Sequence, residues 1–222
     1  MKKNANAPRI ERAGDLEVLA AGMAALRMDA PPDVLEKLLA YRDLLMKWNR
    51  VHNLTAIKNP QEVLVWHLLD SLAILPWVGQ AGRLLDVGSG GGLPGIPLAI
   101  ARPSLFVTLV ESAGKKVAFQ RQAAIELGLI EVKSWQGRVE DFSVPEGQKF
   151  DWIVSRAFAD LALFVTLTRH LLAEDGCWLA MKGKSPDAEI ADLPDDVCLE
   201  AVIPLEVPGL SASRHLLVLR KA

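Results

Sequence analysis

One stretch limits the possible folds more than any other. The apolar run Leu84-Leu85-Asp86-Val87 enters Gly88-Ser89-Gly90-Gly91-Gly92-Leu93-Pro94-Gly95, and an apolar helical pattern follows. A strand that turns through several glycines into a helix opens a βαβ unit, because the tight turn needs backbone conformations that only glycine adopts cheaply. The chain after Gly82 repeats the pattern. Short β-rich runs at Leu84–Val87, Leu105–Glu111, Val132–Trp135, Phe150–Ser155 and Cys177–Met181 alternate with helical stretches at Lys115–Leu127, stopped by Gly128, and Leu161–Leu172, stopped near Gly176. Such alternation predicts an α/β fold on a mostly parallel sheet.

Both ends of the chain depart from this rhythm. Val34, Leu38, Tyr41, Leu45 and Trp48 recur at helical spacing behind Pro31 and Pro32, and a second helix is predicted from about Pro60 to Leu75, ended by Pro76. At the other end, Val197–Val207 and His215–Arg220 are joined by Pro208-Gly209-Leu210-Ser211, too short for a crossover helix, and read as an antiparallel hairpin. The division expected is an N-terminal extension over 1–30, loosely ordered to about Asp15, a helical cap over 31–80, and a main domain over 81–222.

The chain carries a net charge of −2, which argues against a general nucleic-acid coat, since such binding depends on many contacts from lysine and arginine to phosphates. Local basic groups remain candidates: Lys115, Lys116 and Arg121; Arg156; Lys182 and Lys184; and Arg214, His215, Arg220 and Lys221. Cys177 and Cys198 stand alone, so neither a zinc ribbon nor a disulfide framework is suggested. Met1–Arg12 lacks the apolar core of a secretory signal, and no apolar run reaches the roughly 20 residues of a membrane span. A cytosolic location is expected. His52, His170 and His215 show no metal-ligand spacing; His67 and Asp70, one helical turn apart, read as a structural pair fixing the cap rather than a metal site.

The glycine turn fits two ligand classes. Gly90, Gly92 and Gly95 match the G-x-G-x-x-G of dinucleotide sites. Asp86 at the strand end would repel a pyrophosphate but suits the amino group and sulfonium of S-adenosylmethionine, and Glu111 at the end of the next strand can accept hydrogen bonds from ribose hydroxyls in either class. Gly137-Arg138-Val139-Glu140-Asp141, after the third strand, is a candidate adenine clamp, and Trp48, Trp66, Trp77 and Trp135 are candidate stacking surfaces, although core packing is the commoner use of tryptophan at helical spacing.

Several separated motifs carry a family resemblance: V-G-S-G-G-G-L-P-G-I-P-L-A-I at 87–100, K-W-N-R-V-H-N-L-T-A-I at 47–57, H-L-L-D-S-L at 67–72, S-R-A-F-A at 155–159, M-K-G at 181–183 and R-H-L-L-V at 214–218. From about Asp33 to Lys221 the chain resembles the ribosomal small-subunit methyltransferase G family, also called glucose-inhibited division protein B. Glu111 stands where that family would be expected to have aspartate, and Gly91 where alanine or proline is commoner. The resemblance implies a Rossmann-like class I S-adenosylmethionine-dependent methyltransferase with a seven-stranded, mostly parallel sheet, a C-terminal antiparallel hairpin and an N-terminal helical cap. It further implies methylation at N7 of guanine 527 in 16S rRNA, as naked RNA or within a 30S-type particle, by a monomer without a metal. Carried over by position, cofactor contacts fall on Gly88, Leu93, Val139, Glu140 and Arg156. Asp86, Gly90 and Glu111 join them from the strand-end argument. Arg156 and Lys182 are the candidates for orienting the base, and Arg138, Lys182 and Arg214 for contacting RNA. Ion pairing of Arg156 with Glu140 or Asp160 is the competing use of that side chain. Another methyltransferase class, a dinucleotide oxidoreductase and a non-catalytic RNA-binding module are the alternatives that the residues alone leave open.

Overall fold

The computed structural model describes residues 7–145, 147–156, 158, 160–183 and 187–222. Its centre is a seven-stranded sheet of order β3-β2-β1-β4-β5-β7-β6. The strands are β1 (Gly82–Val87), β2 (Leu105–Glu111), β3 (Val132–Gln136), β4 (Phe150–Arg156), β5 (Leu172–Lys182), β6 (Val197–Pro204) and β7 (His215–Lys221). All pairings from β3 through β5 are parallel, whereas β7 runs antiparallel to both β5 and β6. The expected parallel sheet and terminal hairpin are both present.

Strand alternation sorts side chains to the two faces. Leu84, Leu109, Val154, Leu179, Met181, Leu216 and Val218 join one apolar core, which also contains the N-terminal helices. Leu85, Val87, Val110, Ile153, Trp178, Ala180, Leu217 and Leu219 join the second core on the opposite face. The first face is covered by α1 (Ala7–Ala25), α2 (Pro32–His52), α5 (Gly95–Ala101) and α6 (Gly114–Glu126); the second packs against α7 (Leu161–Thr168). A further short helix, α8 (Asp187–Ala191), follows β5.

The helix predicted from Pro60 to Leu75 is not uniform. It begins as α3 (Pro60–Val63), passes through a π-helical turn at Leu64–Leu69, and resumes as α4 (Asp70–Leu72). Asn59 starts it by accepting a hydrogen bond from the Gln61 N–H at 2.9 Å. Within the turn the Asp70 N–H reaches back to the Val65 carbonyl, one residue farther than in an α-helix.

The N-terminal extension departs from expectation. Residues 7–25 form a helix, with Leu19 and Met23 buried in the core. Arg42 of α2 bonds the Asp15 carboxylate at 2.5 Å in a buried ion pair, and Arg12 bridges Glu36 and Asp43. The apolar stripe of this segment finds its partner only once α2 and the π turn are folded beneath it. Residues 1–6, the rest of the segment expected to be loosely ordered, lie outside the described residues.

Candidate active site

Two clefts, each of about 380 Å³, open beside the C-terminal ends of the central strands. They flank the point where the strand order reverses between β1 and β4, the usual ligand position in an open α/β sheet.

The first cleft is lined by Val87, Gly88, Val110, Glu111, Ser112, Gly137, Arg138, Val139, Glu140 and Phe158, with Leu163 and Leu167 of α7 closing it. Gly88 has φ +69°, and a Cβ there would meet no atom within 4 Å, so its missing side chain leaves open space against the backbone. Glu111 is buried at the rim of the glycine turn; its carboxylate accepts from the Gly90 N–H at 3.0 Å and the Ala113 N–H at 2.9 Å. Lys116 stands 3.6 Å away. The turn is braced from beneath: the Tyr41 hydroxyl donates to the Gly91 carbonyl at 2.6 Å, and the Gln120 amide donates to the Gly90 carbonyl at 2.8 Å. These two braces, from α2 and α6, have no signal in the glycine motif itself.

Of the residues assigned to the cofactor from sequence, Gly88, Glu111, Val139 and Glu140 line this cleft. Four others do not: Arg156, which lines the second cleft, and Asp86, Gly90 and Leu93. Asp86 alternates to the cap side of β1, is fully buried, and accepts from the Gly95 N–H at 2.8 Å, the first amide of α5. That amide would face a pyrophosphate in a dinucleotide site, and here a carboxylate occupies it. Burial pushes the Asp86 carboxyl up to about 7, against the Gly95 hydrogen bond and Arg156, with Glu111 adding to the rise. Gly90 points its amide at Glu111 rather than into the cleft, and Leu93 packs into the cap-side core.

The second cleft is lined by Ile57, Trp66, His67, Asp70, Arg156, Met181, Lys182, Gly183 and Arg214. Arg156 follows Val154 on the cap side of β4, and Arg214 precedes Leu216 and Val218 on the same side of β7, so strand alternation directs both guanidinium groups towards the cap. They meet at Asp70. Arg156 Nη1 lies 3.3 Å from Asp70 Oδ2 and donates to the Trp66 carbonyl at 3.2 Å; Arg214 Nε donates to Asp70 Oδ1 at 2.8 Å. The Arg214 guanidinium also lies over the Trp66 ring, 5.4 Å from its centroid. Arg156 thus pairs with Asp70 and not with Glu140 or Asp160, and it belongs to this cleft rather than to the one lined by Glu111. His67 Nε2 lies 2.7 Å from the Thr55 hydroxyl and Nδ1 3.0 Å from the Trp66 carbonyl. Burial, reinforced by Arg156, pushes its imidazole down to about 4, so it is neutral near pH 7.

Lys182 lines the same cleft from the sheet, its ammonium donating to the Phe158 carbonyl at 2.9 Å and to Glu189 at 2.6 Å. The sequence groups Arg138 with Lys182 and Arg214, but the structure separates them. Arg138 lies on the rim of the first cleft, with its side chain 75% exposed and 3.6 Å from Glu140. Arg220 pairs with Glu200, Lys221 with Glu174, and Lys184 lies outside the described residues. Trp66 is the one candidate tryptophan among the residues lining these two clefts; Trp48 packs on Phe119, Trp135 on Phe142, and Trp77 against the cap-side core. Asp70 and Thr55 escaped assignment to the site from sequence, although Asp70 was legible as part of a pair that fixes the cap.

The sequence model of the family described as rRNA small subunit methyltransferase G matches residues 34–217. A ribosomal RNA small subunit methyltransferase G from Neisseria gonorrhoeae is 52% identical over 205 residues, covering 92% of this chain and 98% of the relative. Its counterpart from Laribacter hongkongensis is 56% identical over 206 residues, covering 91% and 97%. Among solved structures, TrmN from Thermus thermophilus aligns with a TM-score of 0.55 at 20% identity, over 70% of this chain and 48% of that one. TYW2 from P. horikoshii, solved in complex with MeSAdo, aligns with a TM-score of 0.54 at 11% identity, over 69% and 63%. At these identities the two structures are similar to the chain in fold.

Proposed function

The chain belongs to the rRNA small subunit methyltransferase G family, and from that premise we propose that it transfers a methyl group from S-adenosylmethionine to N7 of guanine 527 in 16S rRNA. The observation that carries this reading is a pair of clefts linked by one hydrogen bond, from Lys182 of the second to the carbonyl of Phe158, which lines the first: one is backed by a glycine turn and an acid, the other lined by three cations and a tryptophan. Clefts linked in this way can hold a donor and an acceptor base near one another.

S-adenosylmethionine, held in the first cleft, supplies an activated methyl group. Gly88 would let it lie against the backbone, Glu111 would accept from its ribose hydroxyls, and Gly137 to Glu140, with Leu163 and Leu167, would hold its adenine. N7 of guanine carries an in-plane lone pair and needs no deprotonation, so this chain need not provide a general base. Its contribution is orientation, which in favourable intramolecular systems lowers a barrier by roughly 7 to 11 kcal/mol. In the second cleft Trp66 offers a stacking face for an unstacked base, and Arg156 and Lys182 offer donors for O6, leaving N7 free. Arg214 orients the base from the cap side, and Arg138 meets a flanking phosphate. We read 31–80 as the cap, 81–222 as the methyltransferase domain and the active form as a cytoplasmic monomer. The substrate is the RNA itself or a 30S-type particle.

Incubation with labelled S-adenosylmethionine and small-subunit RNA or particles from a strain lacking the corresponding gene, followed by N7-specific chain cleavage, tests this. Label at a single guanine N7 is the expected result. Label at another atom, or none on either substrate despite cofactor binding, overturns it.

A further inference from the structure

We propose that Asp70 is a positioning residue: its carboxylate holds Arg156 and Arg214 at a set separation and offsets their charge where positive charge arrives during methyl transfer. The proposal rests on reading the second cleft as the guanine site.

The geometry is that of a shared anchor. The Asp70 side chain is 2% exposed, and each of its oxygens faces a different arginine, Oδ2 towards Arg156 at 3.3 Å and Oδ1 towards Arg214 at 2.8 Å. The three residues come from the cap, the end of β4 and the segment before β7, so one side chain ties together three distant parts of the chain. Among the described residues lining the cleft, Asp70 is the only carboxylate. The Lys182 charge is met separately by Glu189, and His67 is neutral. The π turn is what aims the group. It brings Trp66, His67 and Asp70 to one cleft, although a regular helix would keep its hydrogen-bond ladder unbroken.

The reaction gives this arrangement a purpose. The N7 lone pair forms a bond to the methyl carbon while the carbon–sulfur bond breaks and its electron pair passes to sulfur. No proton moves. A positive charge leaves the sulfonium in the first cleft and arrives on the purine in the second. Two uncompensated guanidinium groups beside that ring would oppose its arrival, and their repulsion would grow along the reaction coordinate rather than act on binding alone. A carboxylate between them cancels one charge and keeps both donors in place for the base.

The test is Asp70→Asn, which keeps the shape and one acceptor oxygen but removes the charge. With unmethylated small-subunit particles, kcat is expected to fall about 30- to 100-fold while KM for the particle changes less than about threefold. Binding of S-adenosylhomocysteine, followed by calorimetry, stays unchanged because that ligand occupies the other cleft. The double variant Asp70→Asn/Arg214→Gln removes one cation together with the acid and is expected to recover about tenfold in kcat over the single variant. A single variant within about tenfold of wild-type kcat, a loss carried by KM, or a double variant no faster than the single one overturns the proposal. Should Asp70→Asn not fold, the double variant decides: kcat within about 30-fold of wild type supports the proposal, and a larger loss overturns it. Wild-type protein that methylates no guanine N7 overturns the reading beneath the inference, and the inference with it.

Discussion

Two buried ionisable groups on the cap side of the sheet have opposite pH signatures. His67 is held down at about 4 against an ordinary 6.5, so the unfolded chain takes up this proton first; stability is lost as pH falls from 6.5 towards 4. Asp86 is held up at about 7 against an ordinary 3.8, so the folded chain keeps its proton longer, and the stability this contributes below pH 4 is lost as pH rises towards 7. The two slopes oppose one another between pH 4 and 6.5. Urea denaturation at pH 5 and 7.5 should show His67→Gln shifted towards greater stability at pH 5 and Asp86→Asn towards greater stability at pH 7.5, each relative to wild type. At Gly88 the relevant feature is space rather than charge. Alanine there would adopt a left-handed φ of +69° at a cost of roughly 1 to 2 kcal/mol and project its methyl into the first cleft. Gly88→Ala should therefore weaken S-adenosylhomocysteine binding by at least about tenfold in calorimetry, beyond what its modest loss of stability explains.

The element that decides the second cleft is the π turn at Leu64–Leu69. The wide turn takes in one residue more than an α-helical turn, so the same residues wound as a regular α-helix would turn Asp70 by roughly 100° about the axis, away from the arginines. Inserting one alanine between Leu69 and Asp70 should turn Asp70 by roughly 100° about the axis and break both of its ion pairs. The expected outcome is a loss of methyl transfer exceeding 100-fold with S-adenosylhomocysteine affinity preserved, measured on the same preparation; equal loss of both would show that the cap and the glycine turn are not separable. The sequence predicts a helix over this segment because its apolar spacing suits one. Helical periodicity does not reveal the wider turn, since the extra residue is forced by packing against the sheet and α1.

At the scale of the whole molecule, α1 joins the cap from outside. Gly22 lies so close to the π turn that a Cβ there would sit 2.4 Å from the Leu69 side chain, and Asp15 neutralises Arg42 within the α1–α2 contact. Without Asp15, Arg42 keeps Asp43, whose carboxylate lies 2.8 Å from Nη2, so what is lost is one buried charge-assisted hydrogen bond, typically about 1.5 to 3 kcal/mol. Asp15→Ala should lower stability by about that amount in urea denaturation, while the exposed Asp196, paired with Arg169, should tolerate alanine with a change of at most about 1 kcal/mol. Truncation of residues 1–25 should expose the surface covered by Leu19 and Met23 and loosen the π turn, reducing methyl transfer more than cofactor binding.

The sequence alone determined the alternating strands and helices, the terminal hairpin and the glycine turn, because these depend on local periodicity and on backbone conformations written into short segments; beside the turn, Glu111 followed from its place at a strand end, and Gly88, Val139 and Glu140 from the family resemblance. Arg156, Lys182 and Arg214 were legible as candidates, and their convergence is real. Tertiary structure decided the remainder. Asp86 and Leu93 turn away from the first cleft because strand alternation and core packing claim them, and Arg138 joins that cleft because the loop after β3 closes over it. The union of Arg156 and Arg214 at Asp70 joins charges far apart in sequence, and only the packing of the cap against the sheet brings such charges within reach of one another.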